Sequence, residues 1–139
     1  SDKISDCKMI TPDLFNSCNN SNAEILLIKT GYGDYRGKNR YTLTPPGLSS
    51  DLAPFLRKQY KKLRCIGIDL ISISSFSNRN EGHKAHHAFL NPLKGDPILL
   101  IEDMKLDQIL DYNFIRIVVA PLLLRDADGA PCTIFAYDY

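Results

Sequence analysis

Apolar residues fall into short continuous runs separated by polar stretches, with helical spacing in between. Residues 24–30 (EILLIKT) form an apolar run of strand length, the pattern of a strand covered on both faces, and predict a central strand. Leu52, Phe55, Leu56, Tyr60 and Leu63 then recur at three- and four-residue steps behind Ser49, predicting an amphipathic helix capped by that serine. Residues 65–70 (CIGIDL) read as a second strand. Strand, helix and strand in that order favour a right-handed crossover and a partly parallel sheet. Residues 81–90 (EGHKAHHAFL) have helical spacing, with Ala85, Ala88, Phe89 and Leu90 as the apolar positions. Two prolines and a glycine make 91–97 a turn, and 98–102 (ILLIE) is a third strand ending in a carboxylate.

Flanking this pattern, Thr11-Pro12-Asp13 combines a capping residue, a proline and an acid, so a short helix is expected there, ending within 16–22. Residues 31–47, rich in Gly, Tyr, Arg and Pro, show no period and are too long for a plain connector, which marks them as functional or interfacial. Residues 106–110 are at most a helical turn. The apolar runs 114–124 and 132–137 flank Asp126-Ala127-Asp128-Gly129, whose Asp-Gly pair predicts a tight reversal and a closing β-hairpin. The class is α/β or α+β, in one domain over residues 1–139.

Seventeen basic and 16 acidic residues leave a formal net charge of +1, which removes the electrostatic footprint of a nucleic-acid or anionic-membrane binder. The apolar runs fall far short of the roughly 20 residues that span a bilayer. Ser1 to Asp6 has no signal-peptide layout and no initiating Met, so a chain cut or truncated upstream is expected. Cys7, Cys18, Cys65 and Cys132 are scattered without a Cys-x-x-Cys pair, which predicts reduced thiols and a cytoplasmic location.

All three histidines, His83, His86 and His87, fall on the helix predicted over 81–90. His83 and His87 are four apart, as metal ligands on a helix are, but the glutamate of a zincin motif is absent. His86 has a second possible partner in Glu102, a strand-end acid that is costly to bury without a compensating group. A metal supplies such a group; so does a hydrogen bond or salt bridge, the commoner structural outcome. Gly31-Tyr32-Gly33 lacks the third glycine of a phosphate cradle and reads as a turn. Asp126-x-Asp128-Gly129 lacks the closing acid of a calcium loop. Asp69 either positions a loop or ligand or caps the following turn. Residues 72–75 contain serines but no nucleophile elbow.

Several of these segments, taken in order, resemble the cyclase family that includes bacterial kynurenine formamidases and is similar to isatin hydrolase. They are LLIKTGYG, Pro46-Gly47-Leu48-Ser49 opening a helix, Gly67-Ile68-Asp69 with Ser72, and Ala85-His86-His87-Ala88-Phe89-Leu90. Ile101-Glu102-Asp103 with Leu106, Ala120-Pro121-Leu122 and Ala127-Asp128-Gly129-Ala130-Pro131 complete them. The resemblance implies a swivelling β/β/α-type mixed sheet with flanking helices, usually oligomeric. It also implies a divalent metal, zinc or manganese, used to hydrolyse amide or lactam C–N bonds. On that pattern His86 is the helix ligand and Glu102 the strand ligand.

The chain departs from the pattern in two places. The interval between His86 and Glu102 is widened by an insertion around 91–97, which a surface turn can absorb. The family's His-x-Gly-Thr-His-x-Asp-x-Pro-x-His signature, which brings the remaining ligands and the acid–base histidine, is not in this sequence. No catalytic residue is therefore assigned, and a missing N-terminal segment, a partner segment or a homo-oligomer is expected to complete the site. The expected partner is a small amide or lactam, with Tyr32, Tyr35 and Tyr41 as candidate pocket walls. The rival is a non-catalytic binding or oligomerisation module of the same fold, since two ligands leave a zinc site incomplete.

Overall fold

In the computed structural model, which describes residues 4–15, 22–107 and 116–137, the apolar runs pair as strands and the periodic segments coil as helices. In chain order these are β1 (Met9–Ile10), β2 (Ile25–Ile28), α1 (Asn39–Leu43), β3 (Gly47–Leu48), α2 (Leu52–Gln59), β4 (Cys65–Ile68), α3 (Arg79–Leu90), β5 (Leu99–Ile101), β6 (Arg116–Pro121) and β7 (Cys132–Tyr137). Short 3-10 turns lie between them, one of them at Pro12–Phe15, where the sequence predicts a helix. The predicted end of that helix falls in 16–21, outside the described residues. The fold is mixed α/β, with parallel and antiparallel pairing.

The chain forms two compact units, Ser1–Gln108 and Ile109–Tyr139. In the first, β2, β4 and β5 form a parallel sheet in the order β2-β4-β5. Parallel neighbours need a crossover, which α2 supplies between β2 and β4 and α3 between β4 and β5. The predicted central strand is thus an edge strand among the described residues, and β4 takes the centre. Burial gives the reason: Ile66, Gly67 and Ile68 are all buried, whereas three of the four residues of β2 are only half-buried.

Leu52, Ala53 and Leu56 of α2 and Ala85 and Phe89 of α3 bury against Ile28, Ile66 and Ile68 of the sheet. Tyr60 and Leu63 extend the same apolar stripe beyond α2, as their spacing predicts. Ser49 does not cap α2. Its hydroxyl donates to the Ile10 carbonyl, 3.1 Å away, and the cap position is Asp51, so a partner distant in sequence has captured the serine. β1 and β3 form a separate parallel pair, Met9 opposite Gly47 and Ile10 opposite Leu48.

Residues 31–47 are not the irregular loop their composition suggests. They hold a 3-10 turn, Tyr32–Tyr35, and α1, and they bury Tyr32 and Tyr41 completely or nearly so. Asp69 holds the start of this segment. Its Oδ1 accepts from the Thr30 N–H (2.8 Å) and the Thr30 hydroxyl (2.6 Å), and its Oδ2 from the Gly31 N–H (2.9 Å).

The second unit is described over 116–137 as an antiparallel hairpin, with Arg116 opposite Tyr137 and Pro121 opposite Cys132. The reversal is not the tight turn expected at Asp128-Gly129. It spans 122–131, closed by a bond from the Leu122 N–H to the Pro131 carbonyl (2.9 Å), and Asp126 takes a positive φ of 58° within it. Cys7, Cys65 and Cys132 form no disulfide, while Cys18 lies outside the described residues. Among the described residues no helix is long and apolar enough to cross a membrane.

Candidate functional site

Glu102 directly follows Ile101, the last paired residue of β5, which sits opposite Gly67 in the register. The chain then stays tied to the exit of β4, because the Asp103 N–H donates to the Leu70 carbonyl (2.7 Å) and the Met104 N–H to the Ile68 carbonyl (2.9 Å). This arrangement delivers the Glu102 carboxylate to the loop after β4. There Oε1 accepts from the Ile73 N–H (2.8 Å) and the Ser72 hydroxyl (3.0 Å).

His86 comes to the same place from α3. Its Nδ1 lies 3.0 Å from the Gly82 carbonyl one turn back and 3.1 Å from the Ser74 hydroxyl, and its Nε2 lies 3.6 Å from Glu102 Oε1. A carbonyl oxygen can only accept, so Nδ1 carries the proton. Nε2 then faces Glu102, as a donor when the ring is protonated and as a free lone pair when it is neutral. That is the usual setting of a ligating imidazole, with the far nitrogen held by a backbone carbonyl.

Close approach makes this possible. A Cβ on Gly82 would lie 2.3 Å from Ser74 Oγ and 3.1 Å from its Cα, so only glycine lets α3 press against the loop that carries Ser72 and Ser74. A glycine in mid-helix is unfavourable by about 1 kcal/mol relative to alanine, and this contact explains its presence.

The electrostatics of the two groups are coupled. Glu102 is pushed up by burial, but the His86 ring, the Ile73 N–H and the Ser72 hydroxyl outweigh this and hold it below the ordinary carboxylate value. His86 is raised above the ordinary imidazole value, chiefly by Glu102, against the opposing effect of burial. A proton on Nε2 is therefore stabilised, and a cation taking that nitrogen must displace it.

Two donor atoms bound to one tetrahedral ion through bonds of about 2.1 Å stand about 3.4 Å apart. The 3.6 Å separation is near this value, but Oε1 already accepts two hydrogen bonds, so a zinc or manganese ion shared with His86 would take a lone pair of Oε2. Among the described residues no group of three His, Cys, Asp or Glu residues converges, so His86 and Glu102 are at most part of a ligand set. His83 and His87 do not join them. Both line a separate groove between α2 and α3 with Asp51, Arg57 and Lys94, and His87 Nε2 lies 2.6 Å from Asn91 Nδ2.

Two of the three candidate pocket tyrosines are committed elsewhere. The Tyr32 hydroxyl donates to the Thr44 carbonyl (2.7 Å), and Tyr41 donates to the Asp103 carboxylate. Asp69 proves to be a loop-positioning group, satisfied by backbone and a threonine hydroxyl. Sequence reasoning missed Ser74 and Gly82; the available signal was a glycine four residues before His86 within a helical pattern. It also missed Arg36, whose partners lie far along the chain.

The sequence comparison names the family. Residues 2–75, more than half of the chain, match the family described as Putative cyclase, and the chain belongs to that family. The match stops short of His86 and Glu102 and takes in Asp69, Ser72 and Ser74. No curated protein matches this chain.

Proposed function

We propose that this chain carries one part of a divalent-metal site for hydrolysis of amide or lactam C–N bonds, with His86 Nε2 and Glu102 as its two ligands. The observation behind this reading is the His86–Glu102 pair: Nδ1 is engaged by Gly82, and Nε2 faces the Glu102 carboxylate, 3.6 Å from its nearer oxygen. Family membership supports it. Zinc or manganese bound there would acidify water and polarise the substrate carbonyl. The chain's own residues supply orientation: Gly82 and Ser74 hold the imidazole, and Ile73 and Ser72 hold the carboxylate. The remaining ligands and the acid–base group come from another segment or from a second copy of the chain. An arylformamide is the substrate we favour, and the cytoplasm the location.

That no more than two candidate ligands meet among the described residues favours a second reading, a non-catalytic binding or oligomerisation module. Native mass and elemental analysis of the purified protein, with an amide and lactam hydrolysis screen on the same sample, separates the two. Stoichiometric zinc or manganese, with hydrolysis lost in His86→Ala and Glu102→Ala, supports the hydrolase. A metal-free species without hydrolysis supports the module.

A further inference from the structure

We propose that Arg36 and Tyr41 are positioning residues for Glu102: reaching out of residues 31–47, they lock the turn at Asp103 and so hold the preceding carboxylate in place. The functional meaning of this rests on reading Glu102 as a ligand.

The turn needs a lock. Asp103 has a φ of 56°, a left-handed conformation uncommon in residues other than glycine, though aspartate tolerates it better than most. Such a conformation persists only where its surroundings over-determine it. Two side chains converge on it here. The Tyr41 hydroxyl and Arg36 Nε (2.8 Å) both donate to Asp103 Oδ1, and Arg36 Nη2 donates to the Asp103 carbonyl (3.2 Å) and the Met104 carbonyl (2.9 Å). The Arg36 guanidinium also lies over the Tyr41 ring, 5.3 Å from its centroid, so the two grips brace each other.

The underside is closed too. The Met104 sulfur occupies the space over Gly67, where a Cβ would come within 2.2 Å of it. If Asp103 relaxed to a common conformation, Glu102 would shift relative to the loop that holds its carboxylate.

Both groups keep the required protonation state through neutral pH. Burial, then the Asp103 carboxylate, pushes the Tyr41 phenol far above its ordinary value, so it remains a donor. Burial opposes the Arg36 charge, but the Asp103 carboxylate outweighs it and raises the value. The Arg36 and Asp103 side chains are 36% and 53% exposed, so their ion pair adds little to global stability. Its effect is local, on the two residues that follow Glu102.

The test is amide hydrogen exchange in the full chain, read at Ile73, whose N–H is donated to Glu102. Tyr41→Phe keeps the buried ring, Arg36→Ala removes the fork, and Arg36→Lys keeps the charge without the fork. Glu102→Ala marks the fully released state. Each of the three grip variants is expected to speed Ile73 exchange by about tenfold, toward the Glu102→Ala rate, while Ile66 and Ile68 in β4 stay protected. Unchanged Ile73 exchange, or a rise shared equally by Ile66 and Ile68, overturns the proposal. Selective release of Ile73 supports positioning even if no metal binds at His86, in which case the ligand reading alone falls.

Discussion

Asp69 closes β4 and Glu102 follows β5, so two carboxylates stand at the same end of neighbouring parallel strands in very different surroundings. Asp69 is 3% exposed, and its two oxygens accept three bonds from Thr30 and Gly31. Glu102 keeps its side chain 30% exposed, and both of its bonds, as well as the approach of His86, fall on Oε1. A carboxylate whose lone pairs are consumed by the backbone builds the fold. One that is held at a single oxygen and faces an imidazole retains coordinating capacity. The C-terminal edge of a parallel sheet offers both roles, and the donors around each acid decide which it takes.

The contrast is broken most severely at Asp69. Asp69→Ala leaves two backbone N–H groups and a hydroxyl without their acceptor and should destabilise the chain by about 3 kcal/mol or more, read as a fall in the urea midpoint. At Gly82, adding one methyl forces α3 away from Ser74. Gly82→Ala should cost about 1–3 kcal/mol in thermal unfolding, despite alanine's better helix propensity. Glu102→Gln sharpens the comparison from the other side: it should change stability by under about 1 kcal/mol, because the pair is part-exposed, while removing the negative charge that faces His86.

The smallest expected effect is on pH dependence without metal. His86, raised in the folded state, contributes stability that is fully present below its unfolded value of 6.5 and is lost as pH rises through the folded value. Glu102, lowered in the folded state, contributes stability that is present above its unfolded value of 4.5 and is lost as pH falls through the folded value. Denaturant midpoints should therefore carry a shallow maximum between these limits, which His86→Ala flattens.

Elements that announce themselves locally were legible in the sequence. The apolar runs became β2, β4 and β5, the stripe from Leu52 to Leu63 became α2 with its buried extension, and the run around His86 became α3. Strand order was not, because the run in β2 is as apolar as a central strand while only its neighbours decide which strand is covered. The pairing of His86 with Glu102 was visible from residue type and strand-end position. Its supports were not: Gly82, Ser74 and Ile73 matter through a close approach that no spacing rule encodes. Arg36 and Tyr41 meet Asp103 across more than sixty residues of chain, and the compact fold of 31–47 that brings them there has no period to betray it.

The most direct test of the His86–Glu102 assignment is a Mn2+ titration of the chain followed by amide NMR, since paramagnetic broadening reports even a weak, incomplete site. Broadening should be strongest at residues around His86, Glu102, Ser72 and Ile73, fall off with distance from them, and disappear in His86→Ala. Broadening spread evenly over the surface, or unchanged in His86→Ala, would contradict the assignment and leave the pair a structural contact.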